Sequence, residues 1–225
     1  MGILIAIDGV DASGKQTQSE LVFRRLTERG VKARLVSFPD YGSESSALVK
    51  MYLNGEFGSD PDDVNAYAAS TFFAADRFAS YRRSWKHDYD SGTVIIADRY
   101  VPSNMIHQAS KLPGSEKGKF IEWLYELEYG IYALPKPDVT IFLDMPPEKA
   151  QELMEERKNK ITHSEKKDIH ERNAEYLIKS YENAVFVSQK MGWKRISCVI
   201  NGELRSIYDI NSEIMETVTA LLKAK

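Results

Sequence analysis

Cysteine is nearly missing from this chain, and that scarcity excludes several classes of protein. Cys198 is the only cysteine among 225 residues, so no disulfide can form within the chain and zinc sites built from several cysteines are excluded. The four histidines are scattered, and no pair has metal-ligand spacing. This composition favours a reducing compartment, and we expect a cytoplasmic protein.

Long apolar runs and a basic excess are missing as well. No run approaches the roughly 20 apolar residues that span a bilayer, and the apolar N-terminus ends at Asp8, too early for a signal peptide. The net charge of −3 argues against general nucleic-acid binding, which usually requires a basic excess. We therefore expect neither a membrane nor a nucleic-acid partner, and we interpret residues 1–225 as one domain.

Short apolar runs alternate with segments of helical periodicity along the whole chain. The apolar runs, which predict five strands, are residues 3–7, 31–38, 94–97, 139–143 and 193–200. The alternation predicts an α/β fold with three α/β/α layers, in which a five-stranded parallel sheet is covered by helices on both faces. Residues 60–89 predict one long helix that starts at Pro61, and its apolar side would carry Val64, Ala68, Phe72, Ala75 and Ala79.

The loop after the first strand has the pattern of a phosphate-binding P-loop. Its residues are Gly9, Val10, Asp11, Ala12, Ser13, Gly14 and Lys15. Glycines let the backbone N–H groups turn toward phosphate oxygens, and the lysine reaches the outer phosphates. Gln16 follows the lysine where a Mg²⁺-ligating Ser or Thr is usual, and Thr17 comes one place later. The alternative is a glycine-rich turn that only joins a strand to a helix.

Two further residue pairs are candidates for chemistry. Asp98 and Arg99 end the third predicted strand, where a carboxylate could hold Mg²⁺ and a guanidinium could grip a phosphate. They could instead form an ordinary strand-end salt bridge. Phe73 and Arg77 lie four residues apart, hence on one helix face, and would suit a planar base. The alternative for this pair is a helix–helix contact with a surface arginine.

Residues 157–172 form a nearly continuous polar and basic stretch. The basic side chains in it are Arg157, Lys158, Lys160, Lys166, Lys167 and Arg172. Such a segment could close as a lid over a nucleotide, exclude water and supply positive charge. A solvated surface loop is the alternative.

Five motifs together resemble the thymidylate kinase family. They lie at residues 9–18, 38–39, 73–77, 98–104 and 134–138, and the likeness covers nearly the whole chain. The resemblance implies transfer of the γ-phosphoryl group from ATP to dTMP, giving dTDP, with Mg²⁺ as cofactor. It also implies a homodimer.

The resemblance assigns roles to individual residues. Asp11 would hold the deoxyribose 3′-hydroxyl, Phe73 would stack on thymine, Arg77 would bind a base carbonyl, and Arg99 would bind the dTMP phosphate. The complete dTMP set is Asp11, Phe38, Tyr41, Phe73, Arg77, Arg99, Ser103, Asn104 and Gln108. ATP would lie on residues 9–17. The catalytic set is Lys15, Asp98, Arg99 and Arg157, and the candidate Mg²⁺ ligands are Asp98, directly or through water, and Gln16.

Some positions depart from the family pattern. Gln16 replaces the hydroxyl that usually binds Mg²⁺. Ala12 stands where some members have an arginine, and the resemblance then implies that the lid supplies the catalytic cation. Tyr41 replaces an arginine, and His107 replaces an aromatic residue near the sugar 2′ position. Two alternatives stay open: another nucleoside monophosphate or deoxynucleoside kinase, and a non-catalytic P-loop nucleotide-binding regulator.

Overall fold

Five parallel strands form the central sheet, as the sequence predicts. They are β1 (Ile3–Gly9), β2 (Ala33–Ser37), β3 (Val94–Asp98), β4 (Val139–Asp144) and β5 (Lys194–Ser197). Their order is β2-β3-β1-β4-β5. Within it, β1 pairs in parallel with both β3 and β4, so that Ile7 lies opposite Asp98 and Gly9 opposite Leu143. The carboxyl ends of the three middle strands therefore meet at one edge.

Helices connect these strands and cover the sheet. In this computed structural model residues 1–160 and 169–225 are described, with backbone only for residues 156–160, 171 and 172. The helices are α1 (Lys15–Glu28), α2 (Ala47–Leu53), α3 (Ala66–Ser80), α4 (Lys86–Asp90), α5 (Val101–His107), α6 (Gly114–Tyr125), α7 (Pro147–Lys160), α8 (Ile169–Arg172), α9 (Ala174–Lys190) and α10 (Ile207–Ala224). Two π-helical turns, Tyr81–Trp85 and Glu126–Ile131, follow α3 and α6. None of the described helices has both the length and the apolar character needed to cross a bilayer.

Alternate side chains of β1 build two separate cores. Ile5 and Ile7 point to the face covered by α1 and α10, where they join Val22 and Ile214 among others. Leu4 and Ala6 point to the opposite face, which is covered by residues from α5, α6 and the π turn after α3. Because a strand directs successive side chains to opposite faces, one fully apolar strand requires helices on both sides. The predicted three-layer fold is confirmed.

The long helix predicted from Pro61 is wrong in its start and in its apolar face. Residues Pro61–Asp63 form only a 3₁₀ turn, capped by Asp60, and α3 begins five residues later behind Asn65, whose side chain accepts from the Ala68 amide at 2.9 Å. The Lys111 ammonium fixes this break, because it donates to the carbonyls of Pro61 at 2.6 Å and Val64 at 3.0 Å.

The buried face of α3 is also rotated from the predicted one. Ala75 is exposed, whereas Ala69, Ala74 and Arg77 are buried. The small apolar residues of this segment occur on several faces of the helix, so their spacing alone does not identify the buried face. This rotation carries Arg77 into the interior.

The fifth strand ends earlier than the apolar run predicts. Pairing with β4 stops at Ser197, and Val199–Ile200 instead form β6, which pairs antiparallel with β7 (Glu203–Leu204). Asn201 and Gly202, both with positive φ, make the turn of this small hairpin. Cys198, between the two strands, is fully buried, as expected for a small core residue.

Candidate active site

Two glycines shape the loop between β1 and α1. A Cβ atom at Gly9 would lie 2.7 Å from the Ser13 hydroxyl and 2.8 Å from the Leu143 carbonyl, so no larger residue fits. Gly14, with a φ of 83°, precedes α1 in the left-handed conformation, and no described side chain caps the helix there. The first N–H groups of α1 are thus available to phosphate oxygens, and the helix dipole adds to their attraction.

Lys15 folds back over this loop. Its side chain is nearly buried, and Nζ donates to the Val10 carbonyl at 2.6 Å. Burial and the nearby Arg99 charge lower the pKa of Lys15 to about 8, against the opposing effect of neighbouring carboxylates. An anion at this loop would favour the protonated lysine, so phosphate binding and full charging of Lys15 are coupled.

The predicted magnesium ligands lie in different environments. The side chain of Gln16 is exposed and donates to Glu20 at 3.0 Å along the surface of α1, and Thr17 is also exposed. Asp98 lies at the end of β3, partly buried, and accepts from the Ser37 hydroxyl at 3.2 Å. Among the described residues, no group of three or more His, Cys, Asp or Glu is arranged to hold a metal ion. Mg²⁺ commonly uses one or two carboxylates together with phosphate oxygens and water, and Asp98 fits that mode.

Arg99 and Asp11 form an ion pair at the edge of the sheet. Arg99 has a φ of 65°, in the left-handed region that is unfavourable for a side chain with Cβ, and this turn directs its guanidinium back toward the loop. Nη2 donates to Asp11, and Nη1 lies 3.2 Å from Nε2 of His107. Burial opposes ionisation of Asp11, but Arg99 and other nearby cations outweigh it and hold the pKa of Asp11 well below its usual range.

Asp8, which sequence reasoning did not select, joins this turn to β1. It is fully buried, and its carboxylate accepts from the amides of Gly9 at 2.9 Å and Tyr100 at 3.3 Å. The Ser103 hydroxyl donates to both of its oxygens, at 2.8 and 2.9 Å. Asp8 therefore joins the start of the P-loop to the backbone just after Arg99, and the Ser103 hydroxyl completes this set of hydrogen bonds.

A single pocket beside the loop collects the predicted acceptor residues. All nine of them line it, namely Asp11, Phe38, Tyr41, Phe73, Arg77, Arg99, Ser103, Asn104 and Gln108. Sequence reasoning did not include the other four lining residues in its acceptor set, and these are Pro39, Leu53, His107 and His170. Asp11 belongs to the P-loop and Arg99 is paired with it, so the pocket and the phosphate cradle adjoin there.

Arg77 is buried at the other end of the pocket, which contradicts the alternative of a surface arginine. Its Nε and Nη2 donate to the two carboxylate oxygens of Glu128, both at 2.6 Å. Asn104 donates to the same carboxylate at 3.2 Å. Sequence reasoning missed Glu128, although it lies four residues after the buried Leu124 and eight after Phe120, and an acid on that apolar face is a signal of a buried partner.

The remaining walls of the pocket are aromatic and amide side chains. Phe73 meets the ring of Tyr52 edge-on at 6.2 Å between centroids, and Phe38 packs on Tyr100 at 5.8 Å. Tyr41 is exposed at the mouth. Gln108 is buried, and no described group pairs with its Oε1.

Two histidines form the wall between the ends of the pocket. The rings of His107 and His170 lie nearly parallel, 6.1 Å apart between centroids. His170 Nε2 is 2.9 Å from the Tyr52 hydroxyl. Burial lowers the pKa of His107 to about 3, despite the attraction of Asp11, and burial also holds the pKa of His170 well below its usual value. Both rings are therefore neutral at pH 7.

His170 also changes the interpretation of the polar stretch. It and Ile169 are buried, at 6% and 1% exposure, so at these two positions the stretch is not a solvated loop. Residues 157–160, 171 and 172 of the predicted lid are described in the backbone alone, and residues 161–168 lie outside the described residues, so the side chains of Arg157 and the other lid cations are not among the described groups. The role of the lid stays a prediction.

The chain is similar to known proteins in sequence and in fold. The family model for thymidylate kinase matches residues 7–191. A thymidylate kinase from Mycobacterium tuberculosis is 34% identical over 176 residues, which are 77% of this chain and 79% of that protein. One from Schizosaccharomyces pombe is 28% identical and covers 97% of this chain and 92% of its own. The solved thymidylate kinase from Candida albicans is similar in fold, with a TM-score of 0.73 at 22% identity, and covers 97% of this chain and 92% of that one.

Proposed function

This chain belongs to the thymidylate kinase family, and from that premise we propose that its pocket binds dTMP for phosphorylation by Mg²⁺-bound ATP. The observation that carries this proposal is the pocket itself. Nine acceptor residues, identified from four separate stretches of sequence, line one cavity whose charged end adjoins the P-loop.

The phosphate cradle would hold ATP through this chain's own backbone and Lys15. The N–H groups at the start of α1 would bind phosphate oxygens, and Lys15 would exchange its bond to Val10 for one to an outer phosphate. Phosphoryl transfer needs positioning and charge neutralisation more than covalent chemistry. Magnesium supplies part of that neutralisation when bound. Asp98 is the residue we assign to hold it, because Gln16 is bonded along the helix surface.

Arg99 would carry the acceptor phosphate. Its guanidinium is held at the junction of the two sites and can offer two parallel N–H donors to a phosphate, as Arg commonly does. To do so it must exchange its bond to Asp11, which frees that carboxylate for a sugar hydroxyl. One exchange would thus provide both contacts.

The base would lie between Phe73 and the buried Arg77. An aromatic face and a nearby guanidinium suit a planar base with a carbonyl acceptor. Tyr41 and Phe38 would border the phosphate end of the same nucleotide, and Gln108 and Asn104 would contribute amides.

A homodimer accompanies this proposal. Phe78 on α3 is 38% exposed and Ile131 at the end of the π turn 69% exposed. Tyr132 links them, because its ring lies 5.1 Å from that of Phe78. Apolar side chains grouped in this way favour burial against a second copy. Light scattering after gel filtration tests it, and a monomer at micromolar concentration would contradict it.

We further propose that residues 1–225 form one domain in the cytoplasm, with nucleotides and not nucleic acids as ligands. The sheet joins strands from both halves of the chain, and Asn211 of α10 donates to Gln18 of α1 at 3.0 Å. The single buried cysteine fits a reducing compartment.

An acceptor panel tests the function. With ATP and Mg²⁺, dTMP should be phosphorylated much faster than dCMP, dGMP, AMP or unphosphorylated thymidine, measured by coupled ADP release. Turnover of another acceptor above dTMP would point to a different nucleotide kinase. Nucleotide binding without turnover of any acceptor would instead support a non-catalytic regulator, and either result would overturn the proposal.

A further inference from the structure

Glu128 is a fully buried carboxylate that the proposed reaction does not use. It lies in the π-helical turn Glu126–Ile131, and π turns inserted after helices occur frequently at functional sites. Both of its oxygens accept from Arg77, one from Nε and one from Nη2. This two-point contact fixes the plane of the guanidinium. No described group accepts from the remaining nitrogen, Nη1, on this arginine that lines the pocket.

The same carboxylate fixes which way the Asn104 amide faces. A carboxylate can only accept hydrogen bonds, so the amide must present its NH₂ group to Glu128. The two N–H groups of Nδ2 go to Glu128 Oε1 and to the Ser70 carbonyl, each at 3.2 Å. Both donors are then used. The acceptor Oδ1 is left without a donor among the described residues, and Asn104 also lines the pocket.

The end of the pocket that Arg77 and Asn104 line, the base end, therefore offers a donor from Arg77 together with an acceptor from Asn104. A 4-keto pyrimidine presents the complementary pair, since O4 accepts and N3–H donates. A 4-amino pyrimidine presents the reverse, with a donating amino group and an accepting N3. The polarity of the protein groups thus discriminates between two bases of the same size and shape.

We propose that Glu128 is the positioning residue that gives this pocket its preference for a 4-keto over a 4-amino pyrimidine. It acts through Arg77 and Asn104 and need not touch the nucleotide. The inference rests on the proposed function, because it assumes that the base occupies this end of the pocket.

The test compares dTMP with 5-methyl-dCMP, which keeps the methyl group and exchanges only the hydrogen-bonding edge. In the wild-type enzyme the ratio of kcat/KM for the two should be on the order of a thousandfold or more, as in sites built around polar contacts. A ratio below tenfold would mean that the site has no such polarity, and would overturn the inference.

The decisive variant is Glu128→Gln, which keeps the shape but removes the charge and the obligatory acceptor. The Asn104 amide can then turn over, and we expect the dTMP to 5-methyl-dCMP ratio to fall tenfold or more. A smaller change would overturn the inference. If this variant does not fold, Glu128→Asp takes its place. Its retracted carboxylate should lower the ratio at least threefold, and an unchanged ratio would overturn the inference.

Asp76→Asn is the matched control. Like Glu128, Asp76 is a buried acid, but it lies on α3 and its partners are the Asp40 amide at 2.8 Å and the Ser45 hydroxyl at 2.6 Å, not Arg77 or Asn104. A general loosening of the pocket would lower kcat/KM for both nucleotides and leave their ratio unchanged. If Asp76→Asn lowers the ratio as much as Glu128→Gln does, the specific role of Glu128 is refuted.

Calorimetric binding of the two nucleotides to the same variants separates this inference from the proposed function. A wild-type protein that binds dTMP without turning it over would defeat the proposed reaction, yet its affinity ratio would still report the polarity of the base end. An affinity ratio that Glu128→Gln leaves unchanged would defeat the role of Glu128 whether or not the enzyme is active.

Discussion

At the base end of the pocket, Arg77 and Glu128 are paired and buried within the protein. At the opposite, phosphate end, Arg99 and Asp11 are paired across a strained turn and are accessible to solvent. The Arg77 and Glu128 side chains are 2% and 0% exposed, against 23% and 14% for Arg99 and Asp11. Both contacts join an arginine to a carboxylate. They differ in how much solvent reaches them and in whether a ligand can replace one partner.

This difference indicates two modes of recognition. In the proposed complex the base end is organised before the nucleotide binds, since Glu128 already holds Arg77 and Asn104 and no ion pair must break. At the phosphate end, Arg99 and Lys15 bind internal acceptors, Asp11 and the Val10 carbonyl, that a phosphate would replace. We therefore expect substitutions at the phosphate end to change catalysis with little effect on folding, and substitutions at the base end to change both.

Arg99→Ala should give the largest effect on rate. Loss of a positioned guanidinium from a transferring phosphoryl site commonly costs several kcal/mol, so we expect kcat/KM for dTMP to fall on the order of a thousandfold. Steady-state kinetics measures the loss, and circular dichroism should show an unchanged fold. Arg99→Lys is the matched control, because it retains the charge without the planar guanidinium. Its kcat/KM should lie between those of the wild type and Arg99→Ala. Turnover within tenfold of wild type would remove Arg99 from the acceptor site.

Arg77→Met should affect stability most. Removing one partner from a buried ion pair leaves an uncompensated charge, and we expect the free energy of unfolding to fall by about 3–5 kcal/mol in urea denaturation. Arg99→Met is the control for the same substitution at the partly exposed pair and should cost less than about 1 kcal/mol. Adding Glu128→Leu to Arg77→Met should recover part of the loss, because the charge is then gone. Equal losses in the two single variants would contradict the contrast between the ends.

The phosphate end was more readily predicted from sequence than the base end. The P-loop pattern and the Asp98-Arg99 pair are contiguous motifs, and the strand order brings them together without further information. Glu128 is remote from its partner in sequence, and it contacts Arg77 only because α3 is rotated from its predicted face. His170 was likewise missed, because the polar residues around it indicated a surface segment and not a buried wall.

The difference between local sequence patterns and contacts between remote residues also explains which parts of the fold were predicted. Apolar runs specify strands because burial on both faces leaves no alternative, and all five strands were found. The start of α3 depends on the Lys111 contacts with the Pro61 and Val64 carbonyls, across about fifty residues of chain. Asp60 and Pro61 do cap and begin a helical turn, but that turn is a single 3₁₀ turn that ends at Asp63. Long-range polar contacts of this kind have no local sequence signal.

His107, between the two ends, should give the smallest effect, visible as a pH dependence of stability. Its pKa is about 3 in the folded protein and about 6.5 in an unfolded chain. Between these values only the unfolded chain binds the proton, so the stability that His107 contributes is complete above about pH 6.5 and is lost as the pH falls through this window. Its neighbours Arg99 and Lys15 add to the cost of protonation, and Asp11 opposes it.

The measurement is urea unfolding of wild type and His107→Gln at pH 7 and pH 5. Glutamine can still accept a hydrogen bond from Arg99 but does not titrate. Between pH 7 and pH 5 the free energy of unfolding should therefore fall by about 2 kcal/mol more in the wild type than in the variant. The same substitution at the exposed His87 provides the baseline for loss of a histidine. Parallel losses in His107→Gln and wild type would show that His107 is solvated in solution. The wall between the two ends would then be open to water, and the solvent-reachable region would extend from the phosphate end toward Arg77.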